Sequence, residues 1–311
     1  MAALSISGRR FPMKGAGRAL AIVLILAGLV LSGSASVRAG ASGWRPEPQW
    51  LEGNISTAAG RIHYYHAGSG RPVLLIHGNT ASGRWFTGLL PPEGFAYYAP
   101  DLPGFGLSAR TGEFTLEGYA KGAESFLDAL GFDGIPLLAG HSLGGLVAAR
   151  MASSAPERYG ALLLSNVPFL GNSPISQDYF DRAARYGEED ALLKMSLRRV
   201  ALTLADDDPA FQMMFKEARR MDPSGFTENP RILTGAGMYG SLSSFKGRIV
   251  FLGSALDEVI PPSVVRYNSM ITPGSEYHEL PHSGHAPMLE APDAFSEVLK
   301  AMLTGGGIGP F

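Results

Sequence analysis

Gly140-His141-Ser142-Leu143-Gly144 sets a serine between two glycines, directly after the apolar run Ile135-Pro136-Leu137-Leu138-Ala139. A serine hydroxyl is a weak nucleophile at neutral pH, so it needs a base within hydrogen-bond reach and an acid to orient that base. The C-terminal part of the chain supplies both types. The run Pro281-His282-Ser283-Gly284-His285-Ala286-Pro287-Met288 presents His285 and, three residues earlier, His282 as a rival. Asp257 follows the apolar run 248–253, with Glu258 beside it as the rival acid. With 40 glycines in the chain the three-letter pattern alone is weak, and glycines at a strand-to-helix turn also serve structure only. Its setting is informative, because a strand running straight into a helix at Leu143 makes a sharp turn that exposes the hydroxyl. Such a turn is strained and closely packed, which leaves no room for a Cβ on either side.

Attack of a serine on a carbonyl builds negative charge on its oxygen, so donors must face that point. The run Pro72-Val73-Leu74-Leu75-Ile76-His77-Gly78-Asn79-Thr80 reads as a buried strand ending in a glycine turn, which would aim the Asn79 amide above Ser142. The Leu143 amide, at the positive end of the next helix dipole, is the second candidate donor. His77 and His141 are read as histidines that brace these turns.

Short runs suitable for strands, most of them apolar, fall near 61–67, 72–77, 95–100, 136–141, 161–166, 248–253 and 276–280. Helical spacing recurs over 116–130, 143–156 and 292–303. This alternation predicts a mostly parallel sheet with helices on both faces. It breaks between residues 169 and 245, where no strand-like run appears and the pattern is helical and charged, predicting an inserted helical cap. The expected organisation is residues 1–39 as a leader, 40–168 as the first part of the core, 169–245 as the cap, and 246–311 as the second part with a frayed tail around Gly305-Gly306-Gly307. An insertion after the strand ending at Asn166 would roof the carboxyl ends of the strands. Phe180, Leu193, Met213, Met214 and Phe215 are its candidates to meet a substrate. Met195, Met213, Met214, Met221 and Met238 suit an adaptable pocket wall or, for the same physical reason, an irregular core.

His77-Gly78, Asp101-Leu102-Pro103-Gly104-Phe105-Gly106-Leu107-Ser108, Gly140-His141-Ser142-Leu143-Gly144-Gly145, Asp257 and Ser283-Gly284-His285 together resemble the α/β-hydrolase superfamily over residues 60–303. The resemblance is to its cap-bearing esterases, haloperoxidase-like enzymes and carbon–carbon bond hydrolases. It implies an α/β-hydrolase fold with Ser142 as nucleophile, His285 as base, Asp257 as orienting acid, and the Asn79 and Leu143 amides as oxyanion donors. The chain order Ser142, Asp257, His285 agrees with it. Asp101 corresponds to a structural turn after a strand. Serine at the nucleophile position departs from haloalkane dehalogenases and epoxide hydrolases, which use a carboxylate there. The expected function is cleavage of a carboxylic ester or related acyl bond in a small molecule. Carbon–carbon bond hydrolysis, perhydrolysis, and a receptor or scaffold with little turnover are the alternatives. No motif implies a cofactor or metal.

Composition fits these expectations: 45% hydrophobic and 17% charged residues describe a chain that buries a large core. The absence of cysteine excludes thiol catalysis, disulfides and thiolate metal sites. Net charge is −2, but Arg9, Arg10, Lys14, Arg18 and Arg38 all precede Ala39, and without those five charges the remainder stands at −7. Nucleic acid is therefore not an expected partner. Residues 19–31, ALAIVLILAGLVL, follow basic residues and precede the small, polar stretch Ser32 to Ser36, as in a secretory signal. Thirteen apolar residues are short for a transmembrane helix of roughly 20, so export is preferred to anchoring, with cleavage after Ala35 or Ala39 and only transient membrane contact.

Overall fold

A computed structural model describes residues 44–311 apart from 48, 111, 172–174, 235, 236, 239 and 310. The segment expected to direct export, residues 19–31, and both expected cleavage sites lie outside the described residues. Among the described residues no helix is long and apolar enough to cross a membrane.

Eight strands form one sheet: β1 (Leu51–Thr57), β2 (Gly60–Gly68), β3 (Arg71–Ile76), β4 (Phe95–Pro100), β5 (Leu137–His141), β6 (Ala161–Ser165), β7 (Arg248–Ser254) and β8 (Glu276–Leu280). Their order is β1-β2-β4-β3-β5-β6-β7-β8. The β1–β2 and β2–β4 pairs are antiparallel, and every pair from β4 to β8 is parallel. The core runs of β3, β5, β6 and β7 are buried residue after residue, without alternation, as a sheet covered on both faces requires. The covering helices include α1 (Leu116–Ala129), α2 (Leu143–Ser154) and, against β7 and β8, α7 (Pro262–Met270). Thr115 caps α1 by accepting from the Gly118 N–H, and Glu117 in its first turn suits the helix dipole.

The chain departs from β3 in both directions, to β4 on one side and β5 on the other. Such a reversal of strand order is where open α/β sheets place their sites, beyond the carboxyl ends of the strands. Asn79 follows β3, Ser142 follows β5, Asn166 follows β6, Asp257 follows β7 and His285 follows β8. Residues remote in sequence thus meet because five parallel strands lie side by side at about 4.8 Å spacing.

All seven strands read from the sequence are present within two residues of their expected limits. The eighth, β1, carries no apolar run, because it is an edge strand whose residues alternate between exposed and half-buried. Between β6 and β7 the chain contributes α3 (Gln177–Ala183), α4 (Asp190–Val200), α5 (Pro209–Ala218) and α6 (Gly225–Thr234) and no strand among the described residues. Two more helices follow, α8 (Pro287–Glu290) and α9 (Pro292–Thr304). The tail read as frayed makes attachments: the Gly306 carbonyl accepts from Arg248, and Ile308 packs against the core.

The turn into α2 depends on absent side chains. A Cβ on Gly144 would fall well inside contact distance of the Ile76 and His77 carbonyl oxygens, and one on Gly140 would meet the Gly144 backbone. Alanine favours a helix interior over glycine by about 1 kcal/mol, but forcing atoms into a packed site costs about 1–3 kcal/mol and here they would meet unyielding backbone. Gly144→Ala is therefore expected to destabilise the protein. A chemical-denaturation midpoint equal to or above that of the unsubstituted protein would contradict this close approach.

Candidate active site

Ser142 lies on the strand-to-helix turn with φ 52° and ψ −120°, outside the conformations that residues with a Cβ ordinarily adopt. Such strain costs on the order of 1–3 kcal/mol and persists only where neighbours over-determine it. Here the Ser142 N–H donates to the Ser165 carbonyl at 2.9 Å, and its own carbonyl accepts from Gly145 N–H at 2.9 Å as α2 begins. Among the described residues two others with side chains have positive φ, Thr80 at 60° and Asn166 at 49°. All three stand at the carboxyl ends of adjacent strands.

His285 Nε2 lies 3.0 Å from Ser142 Oγ, and His285 Nδ1 lies 2.7 Å from Asp257 Oδ2. With the aspartate ionised, Nδ1–H donates to it, which leaves the Nε2 lone pair to accept the serine proton. Asp257 Oδ2 also accepts from Asn166 Nδ2, and Oδ1 accepts from the Val259 and Ile260 N–H groups, each at 2.8 Å. Burial alone would raise this carboxyl, which is 5% exposed. The charge and hydrogen bond of His285, with the bonds from Asn166 and Ile260, outweigh burial and hold it below its ordinary value. The rivals fall outside this chain: His282 and Glu258 are exposed, whereas His285 is 3% exposed.

The two bracing histidines have definite partners. His77 Nδ1–H donates to the Gly78 carbonyl at 2.8 Å, and its Nε2 accepts from Leu102 N–H at 3.0 Å. That pattern is the neutral ring, and burial lowers its pKa accordingly. His141 Nε2–H donates to the His285 carbonyl at 2.7 Å, tying the histidine loop to the serine turn. Burial first, and the nearby His285 second, push its pKa down to about 3. Asp101 accepts from Gly83 N–H, Leu107 N–H and His63, each at 2.8–3.0 Å, and so fixes the 101–107 loop.

Gly78 brings the Asn79 turn against the serine. A Cβ on Gly78 would stand 3.0 Å from Ser142 Cβ and 2.9 Å from His141 Nδ1. Leu143 is the first residue of α2, so its N–H has no acceptor within the helix. Both residues expected to donate thus lie on turns next to Ser142, Leu143 directly after it and Asn79 directly after Gly78. Among the described residues no group of three or more His, Asp or Glu side chains converges as a metal site.

The helical insertion reaches the Asn79 turn, the loop of Asp257 and, through Glu290, the loop of His285. Asn229 of α6 donates to Asn79 Oδ1 at 2.8 Å, and Arg199 of α4 donates to the Glu258 carbonyl at 3.2 Å. Thr203 donates through its N–H and Oγ1 to Glu290, whose other oxygen accepts from Ala286 N–H beside His285 at 3.0 Å. Sequence reading did not select Asn166, Asn229 or Glu290. Asn166 alone carried a signal, as a polar residue ending a buried strand. Of the residues expected to meet substrate, Leu193, Met213 and Met214 are buried in the core cluster, whereas Phe215 lies between Lys194 and Arg219 and Phe180 under Arg231. Met195, by contrast, is 57% exposed.

Residues 73–298 match the model of the alpha/beta hydrolase family, and the chain belongs to that family. It is 28% identical over 267 residues to the dihydrolipoyllysine-residue acetyltransferase component of the acetoin cleaving system of Cupriavidus necator, covering 79% of this chain and 67% of that protein. It is 25% identical over 263 residues to pimeloyl-[acyl-carrier protein] methyl ester esterase of Nitrosomonas europaea, covering 78% and 99%. Against haloalkane dehalogenase 2 of Mycobacterium tuberculosis the chain spans about half of the relative's length, 47%, at 31% identity over 140 residues and 44% of this chain. An esterase from Exiguobacterium antarcticum has the same fold, with TM-score 0.73 at 20% identity over 82% of this chain and all of that one. The protein is an enzyme of α/β-hydrolase type.

The two acids can be separated by experiment. Asp257→Asn leaves His285 in the wrong tautomer and is expected to lower kcat by about 10⁴-fold in folded protein, whereas Glu258→Gln leaves it within a few fold. Because the Asp257 carboxyl lies below its ordinary value when folded, its stabilisation is complete above the ordinary carboxylate range and fades as pH falls through the lower folded value. The unsubstituted protein should therefore lose more stability than Asp257→Asn between pH 7 and about pH 3, as denaturant midpoints would show. A larger activity loss in Glu258→Gln, or equal acid losses, would contradict the assignment.

Proposed function

We propose that the protein is a serine hydrolase that cleaves a carboxylic ester or related acyl bond through an acyl-enzyme. The observation that carries this reading is the unbroken hydrogen-bond chain from Ser142 Oγ through His285 to Asp257, with the serine on a strained turn. His285 Nε2 takes the proton as Ser142 Oγ bonds to the carbonyl carbon, and the Asn79 and Leu143 amides receive the developing oxyanion. Collapse breaks the bond to the leaving group, which takes the proton from His285, and leaves the acyl group on Ser142. Water then attacks the acyl carbon, gives its proton to His285 and releases the acid as Ser142 regains its proton.

The similarity to a methyl ester esterase over nearly all of that relative's length supports the ester as the bond cleaved. The dehalogenase relatives do not suggest their own reaction here, because a serine occupies the turn. The acyl substrate is read as a small molecule, admitted beneath the insertion, and residues 19–31 as the signal that takes the enzyme out of the cytoplasm.

Ser142→Ala should fold and lose turnover of a short p-nitrophenyl ester by about 10⁶-fold, the scale of losing a member of such a triad. Loss of the triad's serine with near-normal activity would refute the proposal. A panel of acyl esters of graded length should then show a preferred length, with each methylene worth about 10- to 200-fold at most. A flat panel with equally poor turnover throughout would instead favour a different bond.

A further inference from the structure

Asn229 belongs to α6 of the insertion, yet it is 1% exposed and its side chain is spent on the core. Its Oδ1 accepts from the Tyr119 hydroxyl at 2.6 Å, and its Nδ2 donates to Asn79 Oδ1 at 2.8 Å. Tyr119 is itself fully buried in α1, and its ring packs on Phe105 with centroids 5.7 Å apart. Phe105 in turn meets His77 edge-on at 4.9 Å, and His77 holds the Gly78 carbonyl. The turn that carries the Asn79 amide is thus gripped twice, through its backbone by His77 and through its side chain by Asn229.

The grip matters because this turn stores strain. Thr80, a β-branched residue, sits at φ 60°, and its hydroxyl donates back to the Asn79 carbonyl at 2.7 Å. An isolated turn of this kind would relax, and relaxation would rotate the Asn79 peptide away from the space above Ser142. Oxyanion donors act only when held at about 2.7–3.1 Å from the point where charge develops. We infer that Asn229, anchored by Tyr119, is a positioning residue for the oxyanion-binding turn, so that the insertion helps to build the reaction centre as well as to roof it. This inference rests on the acyl-transfer reading above, with Asn79 as a donor. A residue needed only for packing would affect stability. One that positions a donor affects the transition state and spares the ground state.

The test uses the full chain with Asn229→Ala and Tyr119→Phe, each checked for folding by near-ultraviolet circular dichroism. Removing a donor outright costs on the order of 10²–10³ in kcat, so misplacing one should lower kcat about 10- to 100-fold in Asn229→Ala and about 3- to 10-fold in Tyr119→Phe. KM should stay within about twofold and the pH profile of kcat/KM should keep its shape, because Ser142, His285 and Asp257 are untouched. The affinity of an alkyl boronic acid, which forms a tetrahedral adduct on the serine, should fall in parallel with kcat. Unchanged kcat and boronic acid affinity in folded variants would overturn the inference, as would a raised KM at constant kcat. Should Asn229→Ala not fold, Tyr119→Phe decides, since it deletes one oxygen. Turnover that survives Ser142→Ala removes the underlying reading instead, and is distinguishable because it appears before either variant is made.

Discussion

The close approach of α2 to the ends of β3 and β5 is the constraint on which the rest of the site depends. Gly144 lets the helix start against the Ile76 and His77 carbonyls, and Gly140 lets it start without a gap after the strand. Ser142 is thereby forced into an unfavourable backbone conformation that lifts its hydroxyl out of the sheet. The same contact brings the Gly78 turn to the serine Cβ. The candidate nucleophile and the candidate oxyanion donors are consequently set by one packing event between backbones, and side-chain packing does not have to place them separately.

Electrostatics then orders the partners of the serine. A carboxylate as buried as Asp257 is stable only because its four hydrogen-bond donors come from four places: His285, Asn166, and the Val259 and Ile260 amides. The same interactions that keep it ionised fix the tautomer of His285, so charge and geometry are one device. His141 adds a neutral tether from the serine turn to the histidine loop, and its burial ensures that it does not compete for the proton.

The fold was largely legible in the sequence because buried parallel strands read as apolar runs. Ser142 and Asp257, which the structure brings together with His285, stood out because each follows such a run, and His285 because it lies in the short polar loop between the last strand and the C-terminal helices. β1 was hidden because an edge strand with one solvated face shows neither an apolar run nor a strong alternation. Asn229 and Glu290 were hidden for a different reason: each has a polar partner far off in the chain, 150 residues away for Asn229 and 87 for Glu290, that no local spacing announces, and Asn166, whose partner lies 91 residues away, showed only as the polar end of a buried strand. The insertion was legible as helical, but which of its faces is turned inward depends on packing between helices: Leu193 and Met214 are buried and Met195 is not, although all three occupy apolar positions.

The central claim is that the Ser142 hydroxyl is a nucleophile activated by His285, and its most direct test is the site of reaction with a fluorophosphonate. Peptide mass spectrometry of the native protein after brief exposure should find a single phosphonyl adduct, located on Ser142. The adduct should fail to form in folded His285→Ala, because the hydroxyl then has no base at 3.0 Å to take its proton. Absence of an adduct on the native protein, or an equally fast adduct in His285→Ala, would contradict the account.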